Sequence, residues 1–136
     1  MLLLILAALL QGAAATPATM KTVDKGSMSA IDAQRQVILR TPAEFATFWK
    51  SHANDRKMPD VDFTSNMVVG IFVGSRPTGG YGVEIVSAQP EGGTLIVKYK
   101  ETRPGRGSMT AQVLTAPYHL VAIPKVDGPL RFEKVP

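Results

Sequence analysis

Hydrophobic residues follow two periods along the chain, and each period predicts a different kind of element. The near-continuous apolar run Met67–Val73 predicts a strand that is buried on both faces. Apolar and polar side chains alternate at Tyr81–Ile85 and at Thr94–Lys100, which predicts strands with one buried face. The same reasoning predicts further strands at Gln36–Leu39, Tyr118–Ile123 and Leu130–Glu133, and a short edge strand at Ser27–Ile31.

One segment has the helical period instead. Thr41–Glu44 reads as a capping box with proline at the first helical position, so a helix should begin there. Phe45, Phe48, Trp49 and His52 then recur at helical spacing and share one face. We expect this aromatic face to be core rather than a ligand platform, and a basic His52 near the helix end needs no functional role.

These elements predict an α+β domain in which one short helix packs on a mostly antiparallel sheet of about six strands. The strands from Met67 onwards are expected to form a meander of sequence neighbours. The loop Gly74–Tyr81 would then be a rigid hairpin connection that displays Arg76 and Thr78 at its tip, with Gly79-Gly80 free to adopt positive φ. The same composition is also typical of a glycine-rich turn that only joins two core strands.

The N-terminal region predicts export. Met1–Leu10 is leucine-rich and uncharged, and small residues at Ala13 and Ala15 follow, a pattern that predicts a signal peptide over residues 1–15. The apolar run is too short for a membrane-spanning helix. One feature departs from the usual signal peptide, because no Lys or Arg precedes the apolar run. We therefore expect an extracytoplasmic protein with a flexible leader over 16–26 and one domain over 27–136.

Composition narrows the function classes. Hydrophobic residues make up 45% of the chain and charged residues 19%, which is typical of a folded globular protein. The net charge of +4 is spread without a basic run, so nucleic acid is not an expected partner. The chain has no cysteine, so it has neither a disulfide framework nor a thiol for a lipid anchor, and no stable membrane anchor is expected after processing.

No motif in the sequence indicates catalysis, a metal or a cofactor. His52 and His119 have no metal-ligand spacing, and Asp60 and Asp62 are typical of a turn. Gly74–Gly79 resembles the start of a phosphate-binding loop, but Gly-Tyr follows where Lys and Ser or Thr are required. A Ser–His–Asp triad could be assembled only by free choice among loops. We expect a non-catalytic protein without cofactor or metal.

The loops carry the candidate binding residues. Thr102–Pro117 is a long segment without a predicted strand, and such loops in compact domains tend to be functional or disordered. We expect it to lie beside the Gly74–Tyr81 loop and to form a partner-binding surface with it. The candidate residues of this surface are Arg76, Pro77, Thr78, Gly79, Gly80, Tyr81, Arg103 and Arg106.

The same loop carries a resemblance to a known family. The sequence G-S-R-P-T-G-G-Y at Gly74–Tyr81, after an apolar strand, resembles the signature of the PrcB family of protease complex subunits. Weaker matching segments are Phe45–Trp49, Pro59–Phe63 and Thr115–Tyr118, and the resemblance covers about Ser27 to Lys125.

The resemblance implies a secreted or surface-held accessory domain. Such a domain would associate with an extracytoplasmic, subtilisin-like serine protease and support its maturation or stability. An alternative from another class is an envelope carrier for a small anionic or glycan ligand, for which an enclosed pocket lined by Arg76 and Arg103 is expected.

Overall fold

The computed structural model describes residues 17–136, so the predicted signal peptide lies outside the described residues. No helix in this range is long and apolar enough to cross a membrane. In chain order the elements are β1 (Lys21–Gly26), β2 (Arg35–Leu39), α1 (Pro42–Ala53), β3 (Asn66–Phe72), β4 (Gly82–Glu91), β5 (Thr94–Thr102), β6 (Tyr118–Pro124) and β7 (Leu130–Lys134).

The strands form two sheets. The first is antiparallel with the order β1-β6-β3-β2, and the second has the order β4-β5-β7 with β5 and β7 parallel. The expected α+β class with one short helix is confirmed, as is the mostly antiparallel pairing. The expected single sheet of about six strands is wrong, because seven strands are divided between two sheets.

The apolar strand β3 explains the layered architecture. Val68 and Phe72 on one face belong to a core cluster with the helix, whereas Met67, Val69 and Ile71 on the other face belong to a cluster with the second sheet. The first sheet is therefore covered on both faces, which is why β3 has no polar alternation. The result is three layers: helix, four-stranded sheet and three-stranded sheet.

The helix forms where the sequence predicts it. The Thr41 side chain accepts a hydrogen bond from the Glu44 N–H, and Glu44 Oε1 accepts one from the Arg40 N–H. The four side chains of the predicted stripe, Phe45, Phe48, Trp49 and His52, are all buried, so the core role of the aromatic face is confirmed. Burying each aromatic ring is worth roughly 2 kcal/mol.

Two expectations about the N-terminal part are wrong. Lys21–Gly26, inside the predicted flexible leader, is an edge strand paired with β6, and the Ala18 N–H donates to the Ala88 carbonyl. Ser27–Ile31, the predicted edge strand, contributes only a bridge between Met28 and Ala116. An edge strand that is mostly exposed carries little apolar signal, because its backbone ladder stabilises it rather than its side chains.

The predicted meander is also wrong at its start. β3 and β4 lie in different sheets, so Gly74–Tyr81 crosses between sheets and is not a hairpin connection. The one predicted neighbouring pair that forms is β4–β5, joined at Gly92 and Gly93, both with positive φ. Alternation reveals which face of a strand is buried, but it does not reveal which strand lies beside it.

Candidate functional site

The crossing loop Gly74–Tyr81 is bound along its length to the long loop before β6. Arg76 and Thr115 exchange backbone hydrogen bonds of 2.7 and 2.9 Å, and the Gly79 N–H donates to the Ala111 carbonyl at 2.9 Å. The Thr115 hydroxyl donates to the Thr78 carbonyl at 2.9 Å. Because backbone groups make most of these bonds, the two loops form one unit of fixed shape.

Arg76 does not project from a loop tip, which corrects the expectation from sequence. Its side chain is 27% exposed, and its guanidinium lies 3.7 Å from the carboxylate of Glu101, which is 9% exposed. The same guanidinium lies over the Tyr81 ring, 5.7 Å from its centroid. Because the loop turns back toward the second sheet, Arg76 faces inward and clamps the loop to β5.

The remaining candidates of the crossing loop differ in exposure. Pro77 and Gly80 are exposed, whereas Thr78, Gly79 and Tyr81 are half-buried. Gly80 has a φ of 89°, but Gly79 is not among the residues with positive φ, so the expectation of positive φ is wrong for Gly79. A Cβ on Gly80 would lie 2.9 Å from the Pro104 Cβ, so the arginine-bearing loop does lie against the crossing loop.

Arg103 and Arg106 extend from the long loop into solvent. Both side chains are exposed, and within residues 17–136 neither guanidinium is seen in an ion pair or hydrogen bond. Uncommitted cations on a fixed loop can form charge-assisted hydrogen bonds with an incoming group. Their role in binding a partner stays a prediction.

Sequence reasoning missed a set of exposed apolar side chains next to these arginines. Met109 is fully exposed, Leu114 is 67% exposed, and Met28, bridged to Ala116 at the loop's end, is 63% exposed. Val113 is also exposed. The sequence did carry a signal for this apolar surface, because these apolar residues lie in a segment without the period of a strand or a helix. We call residues 76–81 and 103–114 together with Met28 the loop surface.

A cluster of polar side chains joins β1, the turn that follows it and the helix. The Ser29 hydroxyl lies 2.8 Å from His52 Nδ1, and His52 Nε2 lies 2.9 Å from Asp24 Oδ2. Arg56 bonds both Asp24 oxygens and the Tyr118 hydroxyl. The order Ser–His–Asp is that of a nucleophile, base and orienting carboxylate, and Ser29 lines a cleft of about 510 Å³.

The electrostatics of the cluster favour a neutral imidazole. Burial lowers the pKa of His52 below its ordinary value, and the attraction of Asp24 offsets this only in part. Burial opposes ionisation of Asp24, but hydrogen bonds from Arg56 and His52 outweigh it and lower the pKa of the carboxyl. Burial raises the pKa of Tyr118 to about 12, so its hydroxyl stays protonated.

Three contacts favour a structural role for Ser29. Its hydroxyl oxygen accepts a hydrogen bond from the Ile31 N–H, which closes a local turn. The backbone N–H groups of Ser29 and Ala30 donate to other carbonyls, so they do not form an oxyanion hole. Arg56 already compensates the Asp24 charge that would stabilise an imidazolium. The cluster fastens β1 and the following turn to the helix.

The acidic pair Asp60 and Asp62 was predicted to form a turn rather than to bind a metal. Within the described range no group of three His, Cys, Asp or Glu side chains could hold a metal ion. Asp62 accepts hydrogen bonds from the backbone and hydroxyl of Thr64, which confirms its predicted role as a turn former.

His119 is a buried bridge between layers. Its Nδ1 accepts a hydrogen bond from the Ile85 N–H of β4, which requires the neutral ring with the proton on Nε2. Nε2 lies 2.9 Å from the Thr22 hydroxyl of β1. Burial lowers the pKa of His119 to about 4, so the ring stays neutral near pH 7 and joins the two sheets.

The fold and its most distinctive surface define a class of protein. It is a small α+β domain whose described residues present a fixed surface of two bound loops, with cations and apolar side chains exposed together. Residues 67–124, from β3 to β6, match the family model described as PrcB C-terminal. This match confirms the predicted resemblance to the PrcB C-terminal family over these residues. No curated protein and no solved structure matches the chain.

Proposed function

We propose that the protein is an exported, non-catalytic accessory protein that binds an extracytoplasmic protease through the loop surface. The observation that carries this proposal is the family match, because residues 67–124 include both loops of that surface. The family is that of protease complex subunits by resemblance, and a subtilisin-like serine protease is the expected partner.

The physical properties of the loop surface support a protein partner. Exposed apolar side chains such as Met109 and Leu114 gain free energy when a partner removes them from water. Arg103 and Arg106 supply cations for carboxylates on the partner. Because the loops are held by backbone hydrogen bonds, little conformational entropy is lost on docking.

The alternative of a small-ligand carrier has less support. A carrier of this kind would need an enclosed pocket lined by Arg76 and Arg103. The best-formed cavities among residues 17–136 are lined by neither arginine, and the Arg76 guanidinium is engaged by Glu101. These observations favour the protease-associated role.

The test is affinity capture from the native cell envelope with the purified mature protein as bait. We expect a serine protease among the captured proteins, identified by mass spectrometry. Leu114→Asp should reduce its capture at least about tenfold, because a charge in an apolar contact is costly. Met58→Asp is the matched control, since Met58 is an exposed apolar residue outside the loop surface. Capture without any protease, or equal loss with both variants, would contradict the proposal.

Export is tested separately. The Ala13 and Ala15 pattern predicts that the native protein begins near Thr16 or Thr19. Mass spectrometry of the N-terminal peptide from fractionated cells measures this directly. An intact Met1 on protein from the cytoplasmic fraction would contradict export.

A further inference from the structure

Each sheet ends in two edge strands, whose outer backbone N–H and C=O groups have no strand partner. Three of these edges carry features that discourage further pairing. β1 is bulged between Thr22 and Asp24, and β4 is bulged between Ile85 and Ser87. β7 carries three charged residues among its five, Arg131, Glu133 and Lys134. Bulges and charges are usual protections of sheet edges.

β2 has neither a bulge nor a comparable density of charge, since Arg35 is its one charged residue. It pairs with β3 over five consecutive residues, from Arg35 opposite Phe72 to Leu39 opposite Val68, with no shift in register. Its sequence, Arg-Gln-Val-Ile-Leu, contains no Pro, Gly or Lys. Ile38, the fourth of its five residues, is a large apolar side chain that is exposed. The outer edge of β2 is therefore regular and accessible.

A groove runs between this edge and the helix. Its volume is about 580 Å³, and β2 contributes the whole strand to its lining. The helix contributes the small side chains Ala43, Thr47 and Ser51, which recur every four residues and so lie on one face. Phe48 lines the groove between them. A strand edge next to a row of small side chains leaves room for the side chains of one more strand.

The charges of the groove indicate the chemistry of its occupant. The Arg35 guanidinium lies over the Phe48 ring, 5.4 Å from its centroid, and pairs with no carboxylate among the described residues. Glu44, the other charged residue of the lining, lies in the first turn of the helix, where the helix dipole and the Arg40 N–H stabilise its carboxylate. The Arg35 cation is left without a carboxylate partner within residues 17–136, and an acidic side chain placed beside it is complementary.

A second copy of the chain fits this edge less well. Antiparallel pairing of two β2 strands about Val37 would place Arg35 of one copy opposite Leu39 of the other, next to its Arg40. Both ends of such a pair would leave Arg35 opposite an apolar side chain, without a carboxylate to pair with.

We propose that the groove between β2 and α1 binds an extended acidic segment of a partner polypeptide, which adds a fifth strand to the first sheet. Backbone hydrogen bonds along β2 supply affinity, and the groove accommodates apolar side chains at alternate positions of the segment. An Asp or Glu of the segment pairs with Arg35. This site shares no residue with the loop surface, so it stands independently of the proposed function.

The test selects binders from a displayed library of random peptides of about ten residues on the purified protein. We expect enriched peptides with alternating small or apolar residues and at least one Asp or Glu. In nuclear magnetic resonance spectra, the best peptide should shift the amide signals of Arg35–Leu39. Methylation of alternate backbone nitrogens on the edge that pairs with β2 should abolish binding, whereas methylation on the opposite edge should be tolerated.

Variants locate the binding. Thr47→Trp fills the groove and should weaken the peptide at least about tenfold, whereas Lys50→Trp, at an exposed helix position outside the groove, should not. Arg35→Glu should reverse the preference from an acidic peptide to its lysine-substituted counterpart. Thermal unfolding confirms that each variant is folded. Absence of any enrichment, binding that Thr47→Trp leaves intact, or a β2-dependent dimer in solution would overturn the proposal.

Discussion

The Arg76 side chain joins the crossing loop to β5, because its guanidinium faces the nearly buried Glu101 carboxylate. Lys134 is the other cation near that carboxylate, at 3.7 Å. Arg76→Ala removes one of the two cations and the contact with the Tyr81 ring. We expect the free energy of unfolding to fall by about 1 kcal/mol, measured by urea denaturation.

The matched control is Arg103→Ala, because Arg103 is exposed and makes no ion pair or hydrogen bond in the described part of the chain. Its removal should leave the free energy of unfolding unchanged within about 0.5 kcal/mol. Equal destabilisation by both substitutions would show that the Arg76 clamp has no special role.

His119 makes stability depend on pH. Its pKa is about 4 in the folded protein and 6.5 in an unfolded chain, so the unfolded state binds the proton more tightly. The contribution is present above about pH 6.5 and is lost as pH falls toward 4, up to about 3 kcal/mol. The lowered pKa of His52 acts in the same direction.

Denaturation curves between pH 7.5 and 4 measure this loss, and nuclear magnetic resonance titration assigns it to each histidine. His119→Gln should flatten the dependence, because an amide accepts the Ile85 N–H at any of these pH values. A stability that does not change over this range, or a His119 signal that titrates near 6.5, would contradict the bridge between sheets.

Within the crossing loop, adjacent glycines should differ in their tolerance of a side chain. Gly80→Ala places a Cβ at positive φ and 2.9 Å from Pro104, and should cost about 1–3 kcal/mol. At Gly79 the nearest atom to a new Cβ would be 3.5 Å away, in ordinary contact. Gly79→Ala should therefore change stability by less than about 0.5 kcal/mol, measured by thermal unfolding. Similar losses at both positions would refute the described loop geometry.

Elements whose signals are local were predictable from sequence. The helix begins at Pro42 as expected, because the cap and the aromatic stripe lie within a few residues of each other. β3 and β5 were predictable for the same reason. β1 was not predictable, because its side chains are mostly polar. It forms a strand by pairing with β6, which lies nearly the whole chain away in sequence. The division into two sheets likewise depends on long-range pairing.

The candidate site divides in the same way. The two loops and their contact were expected, because glycine, proline and length mark loops directly. The partner of Arg76 was not, since nothing near Arg76 in sequence points to Glu101. The Ser29–His52–Asp24 cluster was missed because a turn, a helix and an edge strand supply one residue each. Single residues separated in sequence leave no spacing to recognise.

At the scale of the whole described domain, the strand order of the first sheet determines how fast the chain can fold. The first sheet, β1-β6-β3-β2, joins strands from both ends of the described chain, and only β4 and β5 form a local hairpin. Topologies dominated by distant pairings fold on a scale of milliseconds to seconds, because loop closure precedes the stabilising contacts. We expect refolding in that range, followed by Trp49 fluorescence after rapid dilution from denaturant. Folding in microseconds would contradict it.

This slow assembly has a consequence for the export proposed above. β6 completes the first sheet, so that sheet cannot form until the chain has been synthesised through Tyr118–Pro124. Before β6 emerges, the described part of the chain offers local units, namely the β2–β3 pair, the β4–β5 hairpin and a helix of 12 residues. Units of this size are marginal alone. The domain is therefore incomplete until late, and the proposed passage through a translocation pore would require no separate unfolding of a finished domain.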